Sequence, residues 1–175
     1  MAIKTIFLDR DGVINEDVGY LHKIKDFKFI EGIFETCLFF LRLDYQIIIV
    51  SNQSGIARGY YTEDDYKKLI QWMINQFSIK NIPILDSFYC PHGPGSDCSC
   101  RKPMPGMLIE AKIKYNIDMS RSWMIGDKET DIEAANLAGI TNTILVESGH
   151  LINKSNSNSK FIINSIKDSK YIIKN

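Results

Sequence analysis

Four short stretches of the chain are almost wholly apolar: Thr5-Ile6-Phe7-Leu8, Gln46 to Val50, Trp123-Met124-Ile125 and Thr143 to Val146. Each is too short for a helix and rich in strand formers, and such runs suit strands buried on both faces, as in a parallel sheet. Between them the apolar positions recur at helical spacing. Ile33, Phe34, Cys37, Leu38 and Leu41 share one face, as do Tyr66, Leu69, Ile70, Met73, Ile74 and Phe77. Thr62 with Asp65 reads as the N-terminal cap of the second of these helices. Pro105 suits the first turn of a helix running to about Tyr115. Thr130 to Ala138 reads as another, stopped by Gly139. Asn153 to Ser159 is a low-complexity Asn/Ser/Lys loop, and about 160–174 reads as a last short strand and helix.

Strands alternating with helices predict an α/β fold, a doubly wound Rossmann-like parallel sheet with helices on both faces. A length of 175 residues with 45% hydrophobic content suits one domain with a real core, residues 1–175. In such sheets the polar residues just beyond strand C-termini gather in one crevice. Asp9, Asp11, Ser51 and Asp127 all stand at such ends.

Charge narrows the function classes. The 21 Lys and Arg balance 21 Asp and Glu, so no global field draws the molecule to nucleic acid or to an anionic membrane. A zinc-ribbon module for nucleic acid, one alternative class, lacks the basic stripe it would need. Any phosphate site has to be local. Charges interrupt the N-terminus before an apolar stretch forms, which argues against a signal peptide. The run Cys37 to Leu41 ends at Arg42, far below the ~20 residues of a membrane span. The expected location is the cytoplasm, and the expected state is a monomer.

The candidate chemistry starts with Asp9-Arg10-Asp11-Gly12. Two carboxylates at i and i+2 on an irregular loop can face one cavity, although Asp and Gly are equally at home in a plain turn. Asp127 and Asp131 follow a later strand. Hard oxygen ligands of this kind suit Mg²⁺ shared with a substrate phosphate. Carboxylates also repel phosphate, so a metal and a cation must offset that repulsion, and Lys102 is the candidate cation. A second cluster, Cys90, His92, Cys98 and Cys100, lies within one segment. Three thiolates and an imidazole form a closed set typical of structural Zn²⁺, with a reduced, unmetallated loop as the other reading. Metal would order this zinc loop, 90–100, which has little apolar content. Its neighbours Arg101 and Lys102 would then be aimed at the crevice.

Taken in order, Phe7-Leu8-Asp9-Arg10-Asp11-Gly12, Ser51 after its strand, Lys102 and Gly126-Asp127-Lys128-Glu129-Thr130-Asp131 resemble the four motifs of the haloacid dehalogenase-like phosphatase superfamily, over nearly the whole chain. The resemblance implies that Asp9 is the nucleophile and Asp11 the general acid and base. It implies Mg²⁺ held by Asp9, Asp127 and the Asp11 main-chain carbonyl, with Ser51 and Lys102 on the phosphoryl group. Asp131 would orient the loop or metal waters, or merely favour its helix N-terminus. No long insertion follows the first motif, so a cap domain is not expected.

Asp17-Val18-Gly19-Tyr20, Ser51 to Gly59 and Cys100 to Met107 are similar to the heptose-bisphosphate phosphatases of the zinc-loop branch. That resemblance implies a small-molecule sugar bisphosphate, D-glycero-D-manno-heptose 1,7-bisphosphate, losing its 7-phosphate on the way to heptose nucleotides and lipopolysaccharide. Asp17, Val18, Gly19, Tyr20, Asn52, Gln53, Ser54 and Lys128 would contact it. Arg101 would meet the phosphate that stays, a task for a planar guanidinium. The short gap from His92 to Cys98 departs from this pattern and also occurs in the alternative, the histidinol-phosphate phosphatases. Tyr60 and Tyr61 are expected to pack at a helix start, with lining the pocket as the other reading. His22 and His150 read as lone surface or core-filling histidines, and Arg58 as a loop cation.

Overall fold

The computed structural model describes residues 2–147 and 156–174. His150 and positions 153–155 of the expected loop lie outside them. Six strands form one sheet: β1 (Thr5–Leu8), β2 (Gln46–Asn52), β3 (Asp86–Cys90), β4 (Trp123–Gly126), β5 (Asn142–Val146) and β6 (Phe161–Ile163). Their order is β3-β2-β1-β4-β5-β6, and every pairing is parallel. The helices are α1 (Ile33–Arg42), α2 (Ser54–Ala57), α3 (Glu63–Ile79), α4 (Gly106–Tyr115) and α5 (Glu129–Leu137).

Strand alternation divides the apolar runs between two cores. Ile6, Leu8, Ile47, Ile49 and Ile125 point to the face covered by α1 and α3. Phe7, Ile48, Val50 and Met124 point to the opposite face, where α4 and α5 supply Met107, Leu108, Ala134 and Ala135. The α3 stripe read from the sequence is buried except for the half-buried Ile74, and α3 begins on a Thr62–Asp65 capping box. In α1 only Ile33 and Cys37 of the expected stripe are buried, and Phe40, outside it, is buried with them.

Four details differ from the expectation. The strand β3 was not legible, because only Phe88 and Cys90 of its residues are buried, as befits the edge of a sheet. Ser51 and Asn52 continue β2 instead of following it, paired to Tyr89 and Cys90 of that strand. Pro105 sits at the N-cap of α4 and not within its first turn. The terminal helix, Ile166–Tyr171, is of the tighter 3-10 kind.

The strand order places the active crevice. The chain winds outward from β1 to β3, returns to β4 beside β1, and winds outward the other way. Ligands in such sheets sit at the carboxyl ends where winding reverses. Leu8 lies level with Ile49 and Ile125. The next residues, Asp9, Val50 to Ser51, and Gly126 to Asp127, therefore emerge side by side.

Candidate active site

Asp9 is held at the end of β1, its amide donating to the Ile125 carbonyl at 3.0 Å. Lys102 reaches it from the segment between β3 and α4. The Lys102 ammonium donates to Asp9 Oδ1 at 2.7 Å and to the Val50 carbonyl at 2.8 Å. It also pairs with Asp131 Oδ1 at 2.6 Å. All of these side chains are buried. Burial works against the Lys102 charge, but Asp131 and Asp9 hold its pKa above the ordinary lysine value. Burial raises the Asp9 pKa; Lys102 pulls it down, while Asp131 and Asp11 push it up. Burial, then Asp9 and Asp131, raise that of Asp127.

The donor set fits a divalent cation. Asp9, Asp127 and Asp131 bring carboxylate oxygens within 4.8 Å of one another. Three buried carboxylates face Lys102 and, at 3.9 Å from Asp127, the half-exposed Lys128, which leaves negative charge in excess in a low-dielectric place that a hard cation would relieve. Gly12 makes room for this cluster. Its φ of 83° is in the left-handed region, and a Cβ there would fall onto the Asp127 carboxylate.

Asp11 is gripped rather than loose. Arg10, itself buried, donates through Nη2 to both Asp11 oxygens at 2.9 Å and through Nε to Oδ1 at 3.2 Å. Asn15 adds a bond to Oδ1 at 3.0 Å, and Gln53 one to Oδ2 at 3.3 Å. Neither Arg10 nor Asn15 stood out in the sequence, because nothing in their spacing tells a buried clamp from a turn. Asp131, left open between two readings, lies inside the cluster against Lys102.

Above the cluster is a cavity of about 440 Å³. Of the residues expected to contact substrate, Asp17, Gly19, Tyr20, Asn52, Gln53, Ser54, Arg101 and Lys128 line it, as does Asp11. Val18 does not: it is 56% exposed and points outward. Lys128 Nζ meets Asp17 Oδ2 at 3.3 Å, across the mouth. Asn52 has a further job, since its Oδ1 accepts from the Lys102 amide and its Nδ2 donates to the Lys102 carbonyl, each at 3.0 Å. This two-way clasp fixes the backbone that carries the ammonium. Tyr61, open between packing at a helix start and lining the pocket, lines the cavity and donates to Gln53 Oε1 at 2.6 Å. Tyr60 stays more than half exposed, against Tyr20.

The second cluster forms as its spacing suggests. Cys90 Sγ lies 3.4 Å from His92 Nδ1, 3.7 Å from Cys98 Sγ and 3.0 Å from Cys100 Sγ. Bond lengths of about 2.0 and 2.3 Å around tetrahedral zinc give edges of roughly 3.5–3.8 Å; the Cys90–Cys98 and Cys90–His92 spacings fit or nearly fit such edges, while Cys90 and Cys100 at 3.0 Å stand closer than the bound ion would set them. The Ser96 hydroxyl donates to Cys98 Sγ at 3.2 Å, a bond that pulls this thiol down to about 6 and favours the thiolate a metal needs. The loop is tied to the site at both ends. Gln53 N donates to the Cys90 carbonyl at 2.8 Å, and Arg101 Nη1 donates to the His92 carbonyl at 3.1 Å.

Comparison with known proteins agrees with this geometry. A family model described as HAD-hyrolase-like matches residues 99–169. A D-glycero-alpha-D-manno-heptose-1,7-bisphosphate 7-phosphatase of Photorhabdus laumondii is 46% identical over 168 residues, covering 90% of each chain. The beta-anomer 7-phosphatase of the same organism is 42% identical, covering 95% of this chain and 93% of its own. A solved D,D-heptose 1,7-bisphosphate phosphatase from B. bronchiseptica, complexed with magnesium and phosphate, superposes with a TM-score of 0.84 at 27% identity, covering 97% of both chains.

Proposed function

Since the chain belongs to the haloacid dehalogenase-like heptose-1,7-bisphosphate 7-phosphatases, we propose that it removes the 7-phosphate of D-glycero-D-manno-heptose 1,7-bisphosphate, in the synthesis of heptose-nucleotide and lipopolysaccharide precursors. It is a phosphoric monoester hydrolase. The observation that carries the substrate reading is the pairing of a buried carboxylate–lysine cluster with a polar cavity whose rim holds Arg101, Lys128 and Asp17.

In this reading an Asp9 oxygen attacks phosphorus, the bond from phosphorus to the C7 oxygen breaks, and Asp9 carries the phosphoryl group as an acyl phosphate. Asp11 hands a proton to the departing sugar oxygen and later takes one from the water that attacks the phosphoenzyme. Phosphate and free Asp9 result. Lys102, held by Asp9, Asp131 and Asn52, neutralises charge on the nucleophile and the transferring group. The Ser51 hydroxyl donates to a phosphoryl oxygen. Mg²⁺, held by Asp9, Asp127 and the Asp11 carbonyl, would supply Lewis-acid charge neutralisation. Arg101 meets the 1-phosphate, while Asp17, Gly19, Tyr20, Gln53, Ser54 and Lys128 surround the sugar. Zn²⁺ on Cys90, His92, Cys98 and Cys100 fixes the loop that presents Arg101 and Lys102. The enzyme acts as a cytoplasmic monomer, one domain over residues 1–175.

The test is phosphate release with Mg²⁺ on both anomers of heptose 1,7-bisphosphate, fructose 1,6-bisphosphate and histidinol phosphate. The highest kcat/KM is expected on a heptose bisphosphate, and Asp9→Asn is expected to fall to background. A preference for histidinol phosphate would overturn the substrate, and normal turnover by Asp9→Asn would overturn the mechanism.

A further inference from the structure

Gln53 stands between Tyr61 and the phosphoryl site, and its amide can be oriented from chemistry alone. The nitrogen faces Asp11 Oδ2 at 3.3 Å and Ser51 Oγ at 2.6 Å, while the oxygen faces the Tyr61 hydroxyl at 2.6 Å. In its ionised form, once its proton has gone to the sugar oxygen, the Asp11 carboxylate gripped by Arg10 can only accept. The amide nitrogen therefore belongs on that side, and the opposite flip would set a carbonyl against a carboxylate. Two consequences follow for the hydroxyls. The Gln53 oxygen can only accept, so Tyr61 must donate to it. The second Gln53 N–H then donates to Ser51 Oγ. Ser51 has one proton, and with its oxygen accepting from Gln53 that proton is left for another acceptor.

The Tyr61 ring is locked where this chain needs it. A Cβ on Gly55 would run into the ring, so only glycine lets α2 approach so closely. His22 stacks on the other side with centroids 5.0 Å apart. Burial pushes the Tyr61 hydroxyl up to about 12, so it stays a donor at working pH.

From this chain of bonds we infer that Tyr61 is a positioning residue: through Gln53 it sets the direction of hydrogen bonding so that Ser51 donates to the transferring phosphoryl group. The inference rests on the reading of Ser51 given above. Loss of one such bond is expected to act on the transition state, where charge builds on the phosphoryl oxygens.

The test is a double-mutant cycle on the Mg²⁺-supplied full-length enzyme with heptose 1,7-bisphosphate. Tyr61→Phe keeps the ring and its packing. It is expected to lower kcat about three- to tenfold, the effect of one net hydrogen bond, with KM changed less than about twofold. Gln53→Met, which removes the amide from the middle of the chain, is expected to do at least as much. In a Ser51→Ala background Tyr61→Phe should change kcat by less than about twofold, because the group it directs is gone. A purely structural tyrosine would give the same loss in both backgrounds, which would overturn the inference. An impaired Ser51→Ala beside a fully active Tyr61→Phe would overturn it too and leave the reading of Ser51 intact. A fully active Ser51→Ala would remove both.

Discussion

At the scale of single residues, Lys102 is the most constrained group in the site. Its ammonium satisfies Asp9, Asp131 and the Val50 carbonyl at once, while Asn52 clasps its backbone. A buried pair adds little net stability, but deleting one partner leaves the other charge stranded. Lys102→Met is therefore expected to abolish turnover and also to cost about 3 kcal/mol of folding free energy. Urea denaturation would check the second effect, and an unchanged midpoint would mean the carboxylates are better solvated than their burial implies. Arg10 makes the same point from the other side. It is among the largest fully buried side chains, and its two-pronged grip on Asp11 sets where that carboxylate can act.

At the scale of elements, the edge strand β3 is fastened by a carboxylate. Asp86 Oδ2 accepts from Lys114 Nζ at 2.8 Å and from the Tyr115 hydroxyl at 2.7 Å, joining β3 to the end of α4. Burial alone would raise the Asp86 pKa, but those bonds and the Ser87 amide hold it below the ordinary carboxylate range. A carboxyl depressed in the folded state stabilises above its unfolded pKa, and that stability is lost as pH falls through the lower, folded value. Native protein is thus expected to exceed Asp86→Asn by about 0.5–1 kcal/mol near neutrality, the range of a partly exposed ion pair. The gap should close in acid, and a gap independent of pH would count against the clasp. The zinc loop is the other element with little core of its own: of its ligands only Cys90 is buried. Purified protein is expected to carry about one zinc per chain. Removing that zinc with a chelator should speed proteolysis between Cys90 and Lys102, and digestion at the same rate would argue against zinc as the source of order.

At the scale of the whole molecule, formal charge sums to zero, while at the sheet's switch point the carboxylates of Asp9, Asp127 and Asp131 outnumber the lysines paired with them, Lys102 and Lys128. Folding therefore holds like charges together, and a cation that binds only the folded state should stabilise the entire protein. At a hundredfold its Kd, Mg²⁺ would contribute about 2.7 kcal/mol, or a rise of several degrees in Tm for a chain of this size. Calorimetry is expected to show that rise in the native protein and to lose it in Asp127→Asn. A rise that survives in the variant would place the cation elsewhere. Among the described residues, no helix is long and apolar enough to cross a membrane.

The sequence by itself determined the layered α/β architecture, because apolar runs of strand length and stripes of helical period can be buried in few ways. It also offered the Cys90–Cys100 cluster and the carboxylate, serine and lysine candidates, since chemistry restricts which residue types do that work. What it left out is non-local. The strand β3 was hidden because an edge strand needs only one apolar face. The Arg10 grip, the Asn52 clasp on Lys102, the place of Asp131 and the Tyr61–Gln53–Ser51 chain join positions far apart or otherwise unremarkable in the sequence, and Val18 is exposed. Those choices depend on which side chains the parallel register sets side by side at the carboxyl ends of β1, β2 and β4, and only the folded chain decides that.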